Sequence, residues 1–195
     1  MRGFRWLLPM FLLGGCATQP LNFTPPTVAP AGIKLDAELM TVSVALDSTP
    51  GNTGKKRRID AGGFEAELQT LWKSALEDSL ARAAIFTDGS HRRVNLSVRI
   101  ERLALPSGAV VMHTGTLARY ELIDRATGKS IFTTQIESDG RVSGDYAFMG
   151  VTRARESVNR SIQNNIMQFI EALTKAQLAP EIAFSAGSSG YSNSF

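Results

Sequence analysis

Val94-Asn95-Leu96-Ser97-Val98-Arg99-Ile100-Glu101 is the stretch on which the fold turns. Val94, Leu96, Val98 and Ile100 fall on one side of an extended chain, and Asn95, Ser97, Arg99 and Glu101 on the other. Successive side chains of a strand point to opposite faces, so this alternation predicts a strand with one face in the core and one in water. Such a strand needs neighbours on its edges and a cover on its apolar side. Reading outward finds both. After the turn at Pro106-Ser107-Gly108, the even positions Val110, Met112, Thr114, Thr116, Ala118, Tyr120 and Leu122 continue an alternating pattern. Asp124 to Gly128 supplies the next reversal, its glycine free to take positive φ, and residues 130–142 read as a further strand. Strands joined in succession by short turns make an antiparallel meander. Upstream, Val42, Val44 and Leu46 alternate with Thr41, Ser43 and Ala45 as one more strand.

Two segments change period. Phe64, Leu68, Leu71, Trp72, Ala75, Leu76, Leu80 and Ala83 recur at three and four, as do Val151, Ala154, Val158, Ile162, Ile166, Phe169, Ile170 and Leu173. Each set is the stripe of an amphipathic helix, the second spanning residues 150–177. The order is β-α-β-β-β-α. It predicts an α+β fold, a two-layer sandwich in which a mainly antiparallel four-stranded sheet is covered by two amphipathic helices. The strand at 94–100 is expected to be internal, with Trp72 packed on it. Strand order stays open, although the opening helix is long enough to cross the sheet and let the first strand pair in parallel with the meander.

The N-terminus has a different character. Met1-Arg2-Gly3-Phe4-Arg5 is basic, the run from Trp6 to Leu13 is apolar but too short to span a bilayer, and Gly14-Gly15 are small. These are the parts of a secretory signal. Cys16, the single cysteine, follows at once. Leu13-Gly14-Gly15-Cys16 resembles the lipobox of bacterial lipoproteins. That resemblance implies that residues 1–15 are a cleaved signal peptide and that Cys16 carries a diacylglyceryl group and palmitate-like acyl chains. Ala17, in place of the Asp that retains such proteins at the inner membrane, implies the periplasmic face of the outer membrane. A secreted chain with one unpaired, unmodified thiol would carry a reactive liability, which favours the lipidated form.

Residues 16–36 hold Pro20, Pro25, Pro26 and Pro30 with no helical or strand period, and read as an extended tether. At about 3.1 Å per residue it would hold the domain about 50 Å from the membrane. Residues 37–178 read as a single domain, and the Ser-, Gly- and Asn-rich residues 179–195 as a disordered tail.

Removing residues 1–15 takes Arg2 and Arg5 away and lowers the 21 basic side chains to 19, against 18 acidic. A nearly neutral chain without a basic stripe does not suggest nucleic-acid binding. Candidate catalytic groups are sparse. His91 lies in a turn and His113 on the polar face of a strand, and neither belongs to a spaced metal set. With Cys16 taken by lipid no thiolate remains, and no serine sits in a Gly-x-Ser-x-Gly elbow. Gly51-Asn52-Thr53-Gly54-Lys55-Lys56 lacks the spacing of a phosphate loop and the hydroxyl residue after the lysine. The reading is therefore of a non-enzymatic chain with no cofactor and no metal.

Two constellations remain as contact surfaces. Lys55, Lys56, Arg57 and Arg58 put four positive charges on one short stretch, which would attract anionic headgroups or polymers or simply face solvent. Tyr146, Phe148 and Met149 sit between the last strand and the last helix. They read either as a partner or lipid contact or, as the favoured expectation, as a plug closing the core beneath the helix entrance.

The lipobox, the Pro-rich spacer, the helix with Trp72, Tyr120-Glu121-Leu122-Ile123-Asp124 followed by Thr127-Gly128-Lys129, and the closing helix through Asn165 and Phe169 together resemble the small envelope lipoproteins of Gram-negative bacteria, including the YajG-type group. No catalytic residues define that group, so none are carried over. The expected role is binding or supporting another envelope component, as a transport auxiliary or assembly factor. The alternative is a lipid or glycolipid carrier using the groove between helices and sheet, with a cell-wall enzyme behind both.

Overall fold

The alternation at 94–100 forms strand β2 (Arg93–Ala104), which lies between β1 (Glu38–Leu46) and β3 (Met112–Asp124), with β4 (Ser130–Val142) at the far edge. The computed structural model describes residues 20–47, 65–106 and 110–178. Helix α1 (Glu65–Ala83) joins β1 to β2, and α2 (Gly150–Leu178) follows β4. The fold is the expected α+β arrangement, β-α-β-β-β-α, with a single sheet in the order β1-β2-β3-β4. β1 pairs with β2 in parallel, and the other two pairings are antiparallel. The open question of strand order is thereby closed: the α1 crossover puts β1 beside the first strand of the meander.

Val94, Leu96, Val98 and Ile100 of β2 and Ala118, Tyr120 and Leu122 of β3 turn inward, onto Leu68, Trp72, Leu76 and Leu80 of α1 and Val158, Ile162, Ile166 and Phe169 of α2. Beyond Ile100 the β2 register slips against β3, so that Leu103 rather than Arg102 is the next residue to turn inward. A bulge of this kind inserts one residue into one strand and shifts the phase of everything after it.

The α2 interface departs from a purely apolar stripe. Beside Val158 and Ile162, the side chains it turns to the sheet include Ser157, Ser161 and Asn165, all buried. Thr114 and Ser157 share a hydroxyl hydrogen bond of 2.8 Å, and Thr116 and Ser161 one of 2.7 Å. Ser138 Oγ donates to the Ser161 carbonyl at 2.9 Å, and Asn165 Nδ2 donates to the Ile136 carbonyl at 3.0 Å. Tyr120 Oη donates to Asn165 Oδ1 at 2.8 Å, while its ring stacks on Phe169 with centroids 4.1 Å apart. Burial pushes the Tyr120 phenol well above its ordinary pKa, so it remains a donor. Each buried polar atom in this ladder has a partner, which removes the penalty of burying it. Short side chains let the backbones meet: a Cβ on Gly140 would lie 2.0 Å from the Ser157 carbonyl oxygen and 2.4 Å from the Ser161 nitrogen.

The tether expectation is corrected from Pro20 onward. Residues 20–36 form a strap packed across the helix layer, with Phe23 only 1% exposed and part of the core. Asn22 N–H donates to Asn159 Oδ1 at 2.9 Å, and Gln163 Nε2 donates to the Asn22 carbonyl at 2.8 Å. Arg82 donates to the Pro25 carbonyl at 3.0 Å. Ala31 N–H reaches the Ala83 carbonyl at 2.7 Å and Leu35 N–H the Ile85 carbonyl at 2.6 Å. Proline supplies no N–H, so an irregular strap rich in it leaves fewer donors to satisfy; of those it has, Asn22 is met by α2, Ala31 by the end of α1, Leu35 by Ile85 beyond it and Thr24 by Asn22 of the strap itself. Residues 16–19, the run at 55–58 and the tail at 179–195 lie outside the described residues.

Candidate functional site

One end of the molecule gathers the chain connections. β2 leaves the sheet there toward Leu105 and Pro106, β3 enters after Val110 and Val111, and β4 passes through residues 143–149 into α2. Val110, expected on the inward face of a strand, stands before β3 and is 74% exposed. The two connections touch. A Cβ on Gly144 would come within 2.7 Å of Val110 Cγ1, and one on Gly150 within 3.6 Å of the Met112 methyl. Arg153, in the first turn of α2, donates from Nη1 to the carbonyls of Gly144 at 2.9 Å and Ala147 at 3.1 Å. Ser143 Oγ hydrogen-bonds the Asp145 carboxylate, and this bond together with backbone N–H donation holds the Asp145 pKa below its ordinary value. Arg160 lies over the Tyr146 ring, 5.2 Å from its centroid, within cation–π range.

This bracing fixes the loop without burying its apolar side chains. Phe148 is fully exposed, and Tyr146, Met149 and Val151 are exposed as well. The core-plug expectation for Tyr146, Phe148 and Met149 is corrected: the core beneath α2 takes in Val158, Ile162 and Ile166, and the loop stands outside it. Val151, expected within the buried stripe, also faces out. Leu21 of the strap joins the same end, in a hollow of about 310 Å³ with Leu105, Pro106, Val151, Ala154 and Val158.

The remaining candidates are dispersed. His113 Nε2 pairs with Asp139 Oδ1 at 3.0 Å on the exposed sheet face. His91 is at the opposite end, where a hollow of about 320 Å³ also takes in Arg92 and Asp124. Asp124, almost buried, accepts from Ala126 N–H at 2.9 Å, Thr127 N–H at 3.0 Å and Arg92 Nε at 2.9 Å. That set closes a turn. Among the described residues no three His, Asp or Glu side chains come together as a metal set, and no helix is long and apolar enough to cross a membrane. Lys55, Lys56, Arg57 and Arg58, and Cys16, the residue expected to be lipidated, fall outside the described residues; the described residues that flank the basic run follow β1 and begin α1. The space between helices and sheet, expected as a carrier groove in the alternative reading, is filled by the core. A groove of about 500 Å³ instead lies on the outside, between the strap at Val28, Pro30 and Ala31 and the α2 residues Met167, Ile170 and Thr174.

No family model and no curated protein matches the sequence. Solved structures do resemble the chain. A minor lipoprotein from Acinetobacter baumannii aligns at 11% identity over 70% of this chain and 94% of its own, with a TM-score of 0.44. PelC, a dodecamer from Paraburkholderia phytofirmans, aligns at 18% identity over 76% of this chain and 94% of its own, with a TM-score of 0.41. Both likenesses are too loose to define a common fold. A Xanthomonas campestris protein assigned to the family model DUF330 aligns at 10% identity over 81% of this chain and 95% of its own, with a TM-score of 0.52, and with that protein the chain shares its fold.

Proposed function

We propose that the protein is a non-enzymatic envelope lipoprotein, anchored through lipid on Cys16 at the periplasmic face of the outer membrane, that binds or supports another envelope component. The supporting observation is the junction between the lipobox-like Leu13-Gly14-Gly15-Cys16 and a domain whose chain is already packed from Pro20. A cysteine placed immediately ahead of a folded strap suits an attachment point, and among the described residues no helix is long and apolar enough to cross a membrane. The scattered histidines and the turn-closing role of Asp124 suit a binding module better than a catalyst. Lys55, Lys56, Arg57 and Arg58, with Tyr146, Phe148 and Met149, are the contact surfaces in this reading.

Mass spectrometry of the mature N-terminus tests the anchor. The expected species begins at Cys16 and carries the mass of a diacylglyceryl group and acyl chains. An intact Met1, or cleavage that leaves a free thiol at Cys16, would sink the reading. Cross-linking in intact cells then separates the roles: recovery of envelope machinery supports the support role, whereas recovery of lipid from the groove beside Met167 supports a carrier.

A further inference from the structure

We infer that the end of the domain formed by Val110, Val111, Tyr146, Phe148, Met149 and Val151 is a membrane-docking surface that enters the headgroup region of the bilayer carrying the anchor. The inference rests on the proposed lipidation of Cys16 for its biological setting, and adds to it an orientation and a contact of its own.

Two independent observations meet at this end. The first is the patch itself. Phe148 is 102% exposed and Val110 74%, on loops that touch through Gly144 and are held by Arg153. A large aromatic held out in water by a braced loop gains nothing from the fold, whereas at a bilayer interface the same side chain meets an apolar phase. The second is the position of the strap's first described residues. Leu21 lies beside Val151, Ala154 and Val158, and Asn159 Nδ2 donates to the Pro20 carbonyl at 3.4 Å. From there the strap runs toward the other end of the helices, with Ala31 bonded to Ala83 and Leu35 to Ile85. Cys16 is separated from Pro20 by residues 17–19 alone. At no more than about 3.6 Å per residue, its reach is about 14 Å. The nine helical steps from Gly150 to Asn159 span a similar length, about 14 Å at 1.5 Å per residue. A lipid on Cys16 is therefore confined to within reach of the end that exposes Phe148, and cannot place the bilayer at the β3–β4 turn.

The occupant is a lipid surface rather than a charged polymer, because charge at this end is balanced. Arg160 donates to Glu156 and Arg153 to the loop carbonyls, while Arg141 and Arg155 stand at this end with Asp139, Asp145 and Glu67, four basic groups against four acidic. Docking is thus driven by apolar area and depends little on salt.

With Cys16 blocked by lipid, or replaced, a cysteine placed at position 148 is the only free thiol in the mature chain. The test labels Phe148→Cys with an environment-sensitive fluorophore, with Ala126→Cys in the exposed β3–β4 turn as control. Each is prepared as the lipidated chain and as residues 16–195 with Cys16→Ser, and mixed with vesicles of phosphatidylethanolamine and phosphatidylglycerol. The expected result is a blue shift and quenching by shallow lipid-borne quenchers at 148 but not at 126, in both preparations and at both low and high salt. Phe148→Ser in the unlipidated chain should weaken vesicle partitioning about tenfold, the scale of withdrawing one large apolar side chain from the interface, with an unchanged melting temperature. A lipidated chain that sits on vesicles with the 148 probe still in water overturns the docking surface while leaving the anchor intact. A 148 probe that shifts only when envelope protein is added overturns it in favour of a protein partner. Absence of lipid on Cys16 would remove the anchor reading, and the unlipidated preparation would still decide this one.

Discussion

Asp124 shows how much one carboxylate contributes when its acceptors are all used. The N–H of Thr127 is the largest influence holding its pKa below the ordinary aspartate value, followed by the Arg92 guanidinium. A carboxylate with a depressed folded-state pKa stabilises the protein above its unfolded value, near pH 4, and that contribution is lost as pH falls through the folded value. Melting temperature should therefore drop in the wild type between about pH 5 and pH 2, partly through this group. Asp124→Asn should melt lower at neutral pH and show a flatter acid limb, read by circular dichroism across the same window. The turn itself was legible in the sequence: Asp124 with Gly128 four residues on signals a tight reversal, and Gly128 does take φ of 68°. Arg92 was not legible, because it lies 32 residues away and meets Asp124 only once β2 and β3 are paired. His113 was rightly placed on the polar face, whereas its pairing with Asp139 depends on the β3–β4 register.

At the scale of elements, helix α2 and strand β4 are joined more closely than ordinary side chains permit. Gly140→Ala would drive a Cβ into the α2 backbone at Ser157 and Ser161, atoms that no rotamer change can move. The expected cost is about 3 kcal/mol or more in urea denaturation, with the near-ultraviolet signal of the core lost before the helical signal. A cost below about 1 kcal/mol would mean that α2 can lift without disturbing the sheet. The periods that predicted β1, β2, β3 and both helices survive because each reports one element's own buried face. What they miss is the matching of one element to another. The stripe reading put Val151 inside because it counts apolar residues, whereas the contact is made by Ser157 and Ser161, whose partners Thr114 and Thr116 are 43 and 45 residues distant. An isolated glycine inside a strand was the available signal, since it often marks a close backbone approach.

Over the whole molecule, the strap ties the N-terminus to both helices. Phe23→Ala should cost about 3 to 5 kcal/mol, the range for removing a buried aromatic, and should expose the chain near Pro25 to limited proteolysis. Unchanged stability would show that the strap rests on the helices without anchoring in the core. Proline and a lack of period made residues 20–36 read as a tether, because an irregular segment buried by distant partners leaves no repeating pattern. Its hydrogen bonds reach Asn159, 137 residues away, and Arg82, 57 residues away. The same absence of pattern hid the exposed end: nothing in the sequence distinguishes an outward Phe148 from an inward one until Arg153 is seen holding its loop. The strap also sets how the protein bears a mechanical load. With the proposed lipid attachment at Cys16, a pull delivered through it toward the end that exposes Phe148 would run along the strap, so the bonds at Asn22, Pro25, Ala31 and Leu35 would be loaded in shear and together. A loose leader would let the domain tug free of its mooring one bond at a time; here the tension enters the helix layer directly, and the mooring gives way only when the core around Phe23 does.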